Sequence, residues 1–168
     1  MEAAVWTVII VVALAVGVIV KRFVGEPLRA RELFAPPLIL TGLGVHSLAN
    51  DLHPDGRDLA WIATASVVGL AMGALRGLTP RLFPRDGHLW QRYTLATLGV
   101  WVLSIAVNLG IDLLATAAGT PGEARPTTLA IGAGLLGEAL VLGWRALASG
   151  TPFAPNDDRL SRRAVARR

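Results

Sequence analysis

Residues 94–117, TLATLGVWVLSIAVNLGIDLLATA, carry the clearest indication of the fold. This stretch carries one charged residue, Asp112, and is long enough to cross the hydrocarbon core of a bilayer, which takes roughly 20 apolar residues as a helix. Similar runs recur along the chain, and the charged residues gather between them. This pattern predicts an all-α, polytopic membrane helix bundle.

Four further apolar runs bring the prediction to about five transmembrane helices. The predicted spans are residues 3–20, 33–48, 59–75, 94–117 and 127–147. They form one transmembrane domain over residues 1–150, and a basic tail follows over residues 151–168. In the first span the acidic Glu2 precedes the apolar run and Lys21 and Arg22 follow it, the reverse of a secretory signal, so we expect an uncleaved anchor.

The composition narrows the classes of function. Hydrophobic residues make up 53% of the chain and charged residues 17%, against about 25% charged in an ordinary soluble domain. The chain has no cysteine, which excludes disulfides and thiol chemistry. Its net charge of +4 is spread over the ends of the apolar runs rather than gathered in one patch, so we predict no nucleic-acid partner. We also predict no cofactor and no metal, since residues 51–55 carry suitable ligand types but are typical of a polar turn.

Basic residues predict the orientation of the bundle, because Lys and Arg accumulate on the cytoplasmic side of a membrane. They fill the first and third loops and the tail, whereas the alternate loops hold only Arg57 and Arg125. The residues on the basic side are Lys21, Arg22, Arg29, Arg31, Arg76, Arg81, Arg85, Arg92, Arg159, Arg162, Arg163, Arg167 and Arg168. We therefore expect the N-terminus outside and the C-terminus inside a bacterial plasma membrane. The five tail arginines also predict contact with anionic lipid headgroups.

A stripe of glycines marks the third span. Gly69, Gly73 and Gly77 recur every four residues on one helix face, a small-xxx-small pattern that lets two helix backbones approach closely. This face predicts helix packing, and self-association through it is one hypothesis for the partner of the chain. Another membrane protein is the alternative partner.

Glu138 is the strongest candidate for a functional side chain, because an acidic residue near the middle of a span is costly to insert. Asn108 and Asp112 share one face of the fourth span with Ser104, and His46 lies in the second span. These residues predict an intramembrane polar cluster around Glu138. Three roles stay open: a hydrogen bond from Glu138 to Asn108 or Ser104 that ties two helices together, a site for a lipid-like or isoprenoid ligand, and a relay for protons or ions.

The loop between the third and fourth spans contains Asp86-Gly87, a dipeptide that favours a tight turn. It predicts a short hairpin or paired extended arms on the inner interface. We expect Phe83, Leu89 and Trp90 to dip into the membrane there.

The layout also resembles the CcdC-like family of small, uncharacterised bacterial membrane proteins, especially its actinobacterial members. The segments that carry the resemblance are Arg29-Ala-Arg31 leading to Pro36-Pro37, Gly69-Leu-Ala-Met-Gly73, Pro84-Arg-Asp-Gly-His-Leu-Trp90-Gln-Arg92 and Gly143-Trp-Arg145. The resemblance covers roughly residues 5–147. It implies a polytopic membrane fold and a link to cytochrome c maturation, and it implies no catalytic residues.

These observations favour a non-enzymatic membrane protein that acts through helix partners or lipid contact. The alternative is an intramembrane enzyme or a binding protein for an isoprenoid or lipid, built around Glu138. A cavity beside that residue would favour the alternative.

Overall fold

The computed structural model describes residues 22–50, 55–120 and 127–155, and over these ranges the chain is mostly helical. The helices are α1 (Ala30–Asn50), α2 (Gly56–Leu78), α3 (Leu95–Ala117) and α4 (Thr127–Ala148). All four are long and apolar enough to cross a membrane, so the chain has the length and composition of a membrane protein. They correspond to the second to fifth predicted spans. The first predicted span and the five tail arginines lie outside the described residues.

Polar side chains set where two of the helices begin. Asp55 caps α2 by accepting hydrogen bonds from the backbone N–H groups of Arg57 and Asp58, at 2.9 and 2.8 Å. Thr94 caps α3 in the same way and accepts from the N–H of Thr97 at 3.3 Å. Such caps satisfy backbone donors that a helix leaves unpaired in its first turn. The Asp55 cap lets α2 begin at Gly56, ahead of the predicted span of residues 59–75.

The outward surfaces of the helices are strongly apolar. Exposed large side chains on these surfaces include Leu38, Ile39, Val67, Val102, Leu113, Leu114, Ile131, Leu140 and Leu147. A soluble monomer rarely exposes contiguous apolar patches larger than a few hundred Å². The distribution of side chains therefore agrees with a lipid environment for this bundle.

The fourth helix is the centre of the bundle. It packs along both α1 and α2, whereas α3 packs mainly against α2. Close approach is possible because glycines line the α4 surface: a Cβ at Gly132 would lie 2.6 Å from the backbone nitrogen of Thr41 in α1. On the other side, a Cβ at Gly137 would lie 2.1 Å from the carbonyl oxygen of Leu70 in α2.

The glycine stripe of α2 lies against α4 of the same chain. A Cβ at Gly73 would lie 1.8 Å from the carbonyl oxygen of Gly134, and one at Gly77 would lie 2.8 Å from that of Glu138. A Cβ at Gly69 would still be within 3.3 Å of a carbonyl oxygen of α4. The surface that the sequence offered for self-association is thus already occupied, because α4 needs the same close backbone approach that a second copy would need.

The predicted hairpin forms just after the C-terminal end of α2. Strands β2 (Arg81–Arg85) and β3 (His88–Arg92) pair in antiparallel fashion, and β1 (Glu26–Pro27) pairs with the opposite edge of β3. Both turn residues have positive φ, 52° at Asp86 and 74° at Gly87. Two consecutive residues with positive φ are the requirement of a type I′ turn, which matches the twist of paired strands.

We call residues 22–29, 79–94 and 149–155 the cap. The Leu28 N–H donates to the Leu89 carbonyl at 2.8 Å, and the Leu89 N–H donates to the Pro152 carbonyl at 2.9 Å. Leu28, Leu89 and Ala146 form the hydrophobic core beneath these bonds, with Phe153 packed against it. The start of α1, the end of α2, the start of α3 and the end of α4 therefore meet at one end of the bundle.

Two expectations for this region are corrected by the cap. Leu89 is only 1% exposed and packs on protein, so it does not dip into the membrane. Pro152 and Ala154, which the sequence grouped with the basic tail, are part of the cap, where they hydrogen-bond with Leu89 and Leu28. The reason in both cases is that three chain segments converge here and bury one another.

Candidate functional site

Glu138 lies at the centre of a buried hydrogen-bond network. Its side chain is 6% exposed, and its Oε2 accepts a hydrogen bond from Nε of Arg76 in α2 at 2.7 Å. Its Oε1 accepts a hydrogen bond from the hydroxyl of Tyr93, which lies in the cap, at 2.8 Å. Both carboxylate oxygens are therefore paired, as a buried charge requires.

The network continues into the cap through Arg22. The guanidinium of Arg22 lies 3.9 Å from Glu138 Oε1, donates a hydrogen bond to the Tyr93 hydroxyl and sits 5.1 Å from the centre of the tyrosine ring. It also lies 3.5 Å from Glu26 Oε1, which in turn accepts from Gln91 at 3.1 Å. Two arginines and two glutamates thus balance one another across the boundary between cap and bundle.

Arg76 is the residue that the sequence interpretation misplaced. It counted among the loop residues that mark the basic side of the membrane, whereas α2 continues to Leu78 and Arg76 is buried, with 6% of its surface exposed. Its guanidinium also lies over the ring of Trp101 in α3, 4.7 Å from the ring centre. One arginine side chain therefore connects α2, α3 and α4.

Burial also acts on Tyr93, which lies outside the spanning helices. Desolvation, together with the negative charge of Glu138, raises the pKa of the Tyr93 phenol. The phenol therefore stays protonated and able to donate to Glu138 throughout the physiological pH range.

A cavity of about 400 Å³ lies between α2, α3 and α4. Its wall is mostly apolar, with Ile62, Met72, Ile105 and Leu109 among the lining residues. The polar and aromatic residues that line it are Ser66, Arg76, Trp101, Ser104, Asn108, Asp112 and Thr127. A mostly apolar wall with a few polar groups is typical of small-molecule sites, which measure roughly 300–1,000 Å³.

The predicted polar cluster divides into separate parts. Ser104, Asn108 and Asp112 do share a face of α3, but this face lines the cavity, and Glu138 is not among the lining residues. His46 is exposed on α1, where its ring lies 3.1 Å from Asn50 Nδ2. The physical reason is the order of the helices, because α1 and α3 pack mainly against different neighbours and cannot bring His46 to the α3 stripe.

One feature of the sequence could have predicted the partner of Glu138. Arg76 stands immediately before Gly77 of the α2 stripe, and Glu138 stands immediately after Gly137 on α4. Each of the two glycine faces therefore has one charged residue beside it, and the two charges have opposite signs. Where the two faces pack together, these charges can form a buried ion pair. Tyr93 and Arg22 had no such signal, because both lie outside the predicted spans.

Within residues 22–50, 55–120 and 127–155, no group of three His, Asp or Glu side chains could hold a metal ion. Comparison with protein-family models, with curated proteins and with solved structures finds no match to this chain. The function has to be argued from the cavity and from the network beside it.

Proposed function

We propose that this chain is a non-enzymatic membrane protein that binds a lipid-like amphiphile in the cavity between α2, α3 and α4. The observation that carries the proposal is the cavity itself, about 400 Å³ in the part of the bundle that has the composition to cross a membrane. Its mostly apolar wall suits an alkyl chain, and its few polar side chains suit a head group.

The network around Glu138 favours binding over catalysis. A general acid or base must lie within hydrogen-bond reach of the group that it serves. Glu138 does not line the cavity, and both of its oxygens are held by Arg76 and Tyr93. Its role in this proposal is to keep Arg76 in place, so that Arg76 and Trp101 together form one end of the cavity wall.

The proposal is tested by filling the cavity. Ala65 lines it and Ala63, two residues away on α2, is exposed and does not. Protein extracted gently from membranes should carry a bound lipid-like molecule in native mass spectrometry. Ala65→Phe should lose that adduct and Ala63→Phe should keep it. Wild-type protein without any adduct, or equal adducts on both variants, would refute the proposal.

The proposal includes the finer topology of five spans in a bacterial plasma membrane, with the cap on the cytoplasmic side. The basic residues Arg81, Arg85 and Arg92 of the cap support this direction. Because the natural sequence has no cysteine, single cysteines can report it without background. In intact cells, an impermeant maleimide should label Ala118→Cys at the end opposite the cap and should not label Arg85→Cys. The reverse pattern would invert the topology.

A further inference from the structure

The β2–β3 hairpin has one face that turns away from the core of the cap. Side chains that lie opposite each other in an antiparallel pair share a face, and so does every second residue of a strand. Leu82, Leu89 and Gln91 share the inner face, where Leu89 forms part of the hydrophobic core and Leu82 packs against it. The outer face therefore holds three opposed pairs, Arg81 with Arg92, Phe83 with Trp90 and Arg85 with His88.

Contacts across the outer face agree with this arrangement. The guanidinium of Arg85 lies over the ring of Trp90, 4.7 Å from the ring centre. A Cβ at Gly25 would lie 3.7 Å from the ring of Phe83 and 3.8 Å from the Cβ of Arg92, so these two side chains lie on the same side of the sheet. The three arginines of the face are all exposed. The outer face is thus a basic surface with two aromatic side chains in its centre.

The arginines of this face differ in the compensation of their charge. Arg85 lies 3.6 Å from the carboxylate of Asp86 and also contacts Trp90. Within the part of the chain that the structure describes, no hydrogen bond or ion pair engages the side chain of Arg81 or of Arg92. Like charges directly opposite each other destabilise a pair of strands. The Arg81–Arg92 pair would therefore gain from an anion held between its two guanidinium groups.

The same pair lies at the end of the hairpin nearest to the apolar helices. Arg81 follows Leu78, the last residue of α2, by three positions, and Arg92 precedes Leu95, the first residue of α3, by three positions. Both leucines are exposed apolar residues on helices that can cross a membrane. Three residues span at most about 11 Å, and the head-group layer of a bilayer is roughly 5–8 Å thick on each side. The long arginine side chains can therefore reach lipid phosphates.

We propose that Arg81 and Arg92 together bind the phosphate of an anionic phospholipid from the membrane that surrounds the bundle. A guanidinium pairs with a phosphate through two parallel hydrogen bonds, and a phosphate between the two arginines would offset their repulsion. Neither arginine lines the cavity between α2, α3 and α4, so this inference is independent of the proposed function.

The test compares two lipids with the same acyl chains, phosphatidylglycerol and phosphatidylcholine. The first carries a net negative charge, whereas the phosphate of the second is neutralised by its choline group. Each lipid is titrated into delipidated full-length protein, and bound lipid is counted by native mass spectrometry. The variants are Arg81→Gln and Arg92→Gln, and the matched control is Arg85→Gln, which removes the same charge from the same face. Affinity for phosphatidylcholine shows whether each variant is intact.

The wild type should bind phosphatidylglycerol at least about tenfold more tightly than phosphatidylcholine. Arg81→Gln and Arg92→Gln should each weaken phosphatidylglycerol binding about fivefold, the effect expected for one basic residue at an anionic surface. Arg85→Gln should weaken it less than about twofold, because Asp86 already offsets that charge. Affinity for phosphatidylcholine should stay the same in all three variants.

Several outcomes would overturn the proposal. Equal losses in all three variants would mean that the cap attracts anions through its overall charge and has no site at Arg81 and Arg92. Unchanged binding in Arg81→Gln and Arg92→Gln would place the lipid preference elsewhere in the chain. A wild type without any preference would leave the outer face to an acidic protein surface. Glycerol phosphate binding as tightly as phosphatidylglycerol would assign the pair to a soluble phosphate compound instead of a lipid.

Discussion

Removing one member of the ion pair between Arg76 and Glu138 should strongly destabilise the bundle. The paired atoms lie 2.7 Å apart, and the two side chains are 7% and 6% exposed. The chain provides its own control: Arg29 and Glu32 form a pair of nearly equal length, 2.8 Å, whose side chains are 20% and 60% exposed. Distance is almost the same in the two pairs, so the difference in their energies reflects burial together with the further contacts of Glu138 with Tyr93 and Arg22.

Glu138→Gln leaves the Arg76 charge buried without its counter-charge. Breaking a buried pair in this way costs about 3–5 kcal/mol, because the remaining ion keeps its desolvation penalty and loses its compensation. Loss of the exposed pair by Glu32→Gln should cost at most about 1 kcal/mol, since water and counter-ions replace the partner. The two substitutions make the same chemical change, so their ratio tests the argument directly.

Replacing both members of the buried pair should cost less than the sum of the single substitutions. In Arg76→Met with Glu138→Met neither charge remains to be compensated, although the contact of Arg76 with the Trp101 ring is lost. That contact is worth about 0.5–2 kcal/mol. Unfolding of the wild type, the single variants Arg76→Met and Glu138→Met, and the double variant gives the coupling energy; it is measured in mild detergent by titration with a denaturing detergent. Strict additivity, or equal losses for Glu138→Gln and Glu32→Gln, would refute the reasoning.

Three further predictions concern the tyrosine, the glycine stripe and the cap. Tyr93 is the only tyrosine of the chain, and because its pKa is raised in the folded protein, the phenol ionises at about pH 10 only when the protein is unfolded. The contribution of Tyr93 to stability is therefore complete below that pH, and the free energy of unfolding falls above it. Phenolate absorbance should appear only on unfolding, and Tyr93→Phe should abolish this fall in stability at alkaline pH. Gly73→Ala should destabilise the bundle by about 1–3 kcal/mol, because its Cβ would overlap a carbonyl oxygen of α4. The control Gly99→Ala on α3 has open space around it and should be neutral or stabilising in the same unfolding assay. Leu89→Ala should cost about 2–5 kcal/mol and should expose the backbone N–H groups of the hairpin to faster hydrogen exchange; a hairpin that stays equally protected would contradict its assignment to the core of the cap.

Local features of the sequence were enough for the elements that depend on neighbouring residues. Apolar runs of sufficient length predicted four helices that the structure contains, and Asp86-Gly87 predicted the hairpin. The prediction of a close-packing face at Gly69, Gly73 and Gly77 rested on spacing along one helix. Each of these inferences needs only the periodicity of a helix or the backbone preference of two residues.

Which of these elements and side chains contact each other was decided by the tertiary structure. Spacing places Asn108 and Asp112 on one face of α3, but it does not predict that this face lines a cavity. Nor does it predict that Glu138 pairs with Arg76, which is 62 residues away in sequence. Hydropathy predicted that the span ends before Arg76, because the sequence pattern of a charged residue after an apolar run is the same for a solvated arginine and for one paired with a buried carboxylate. Which helix faces which is set by the packing of all side chains at once, and no single segment of sequence contains that information.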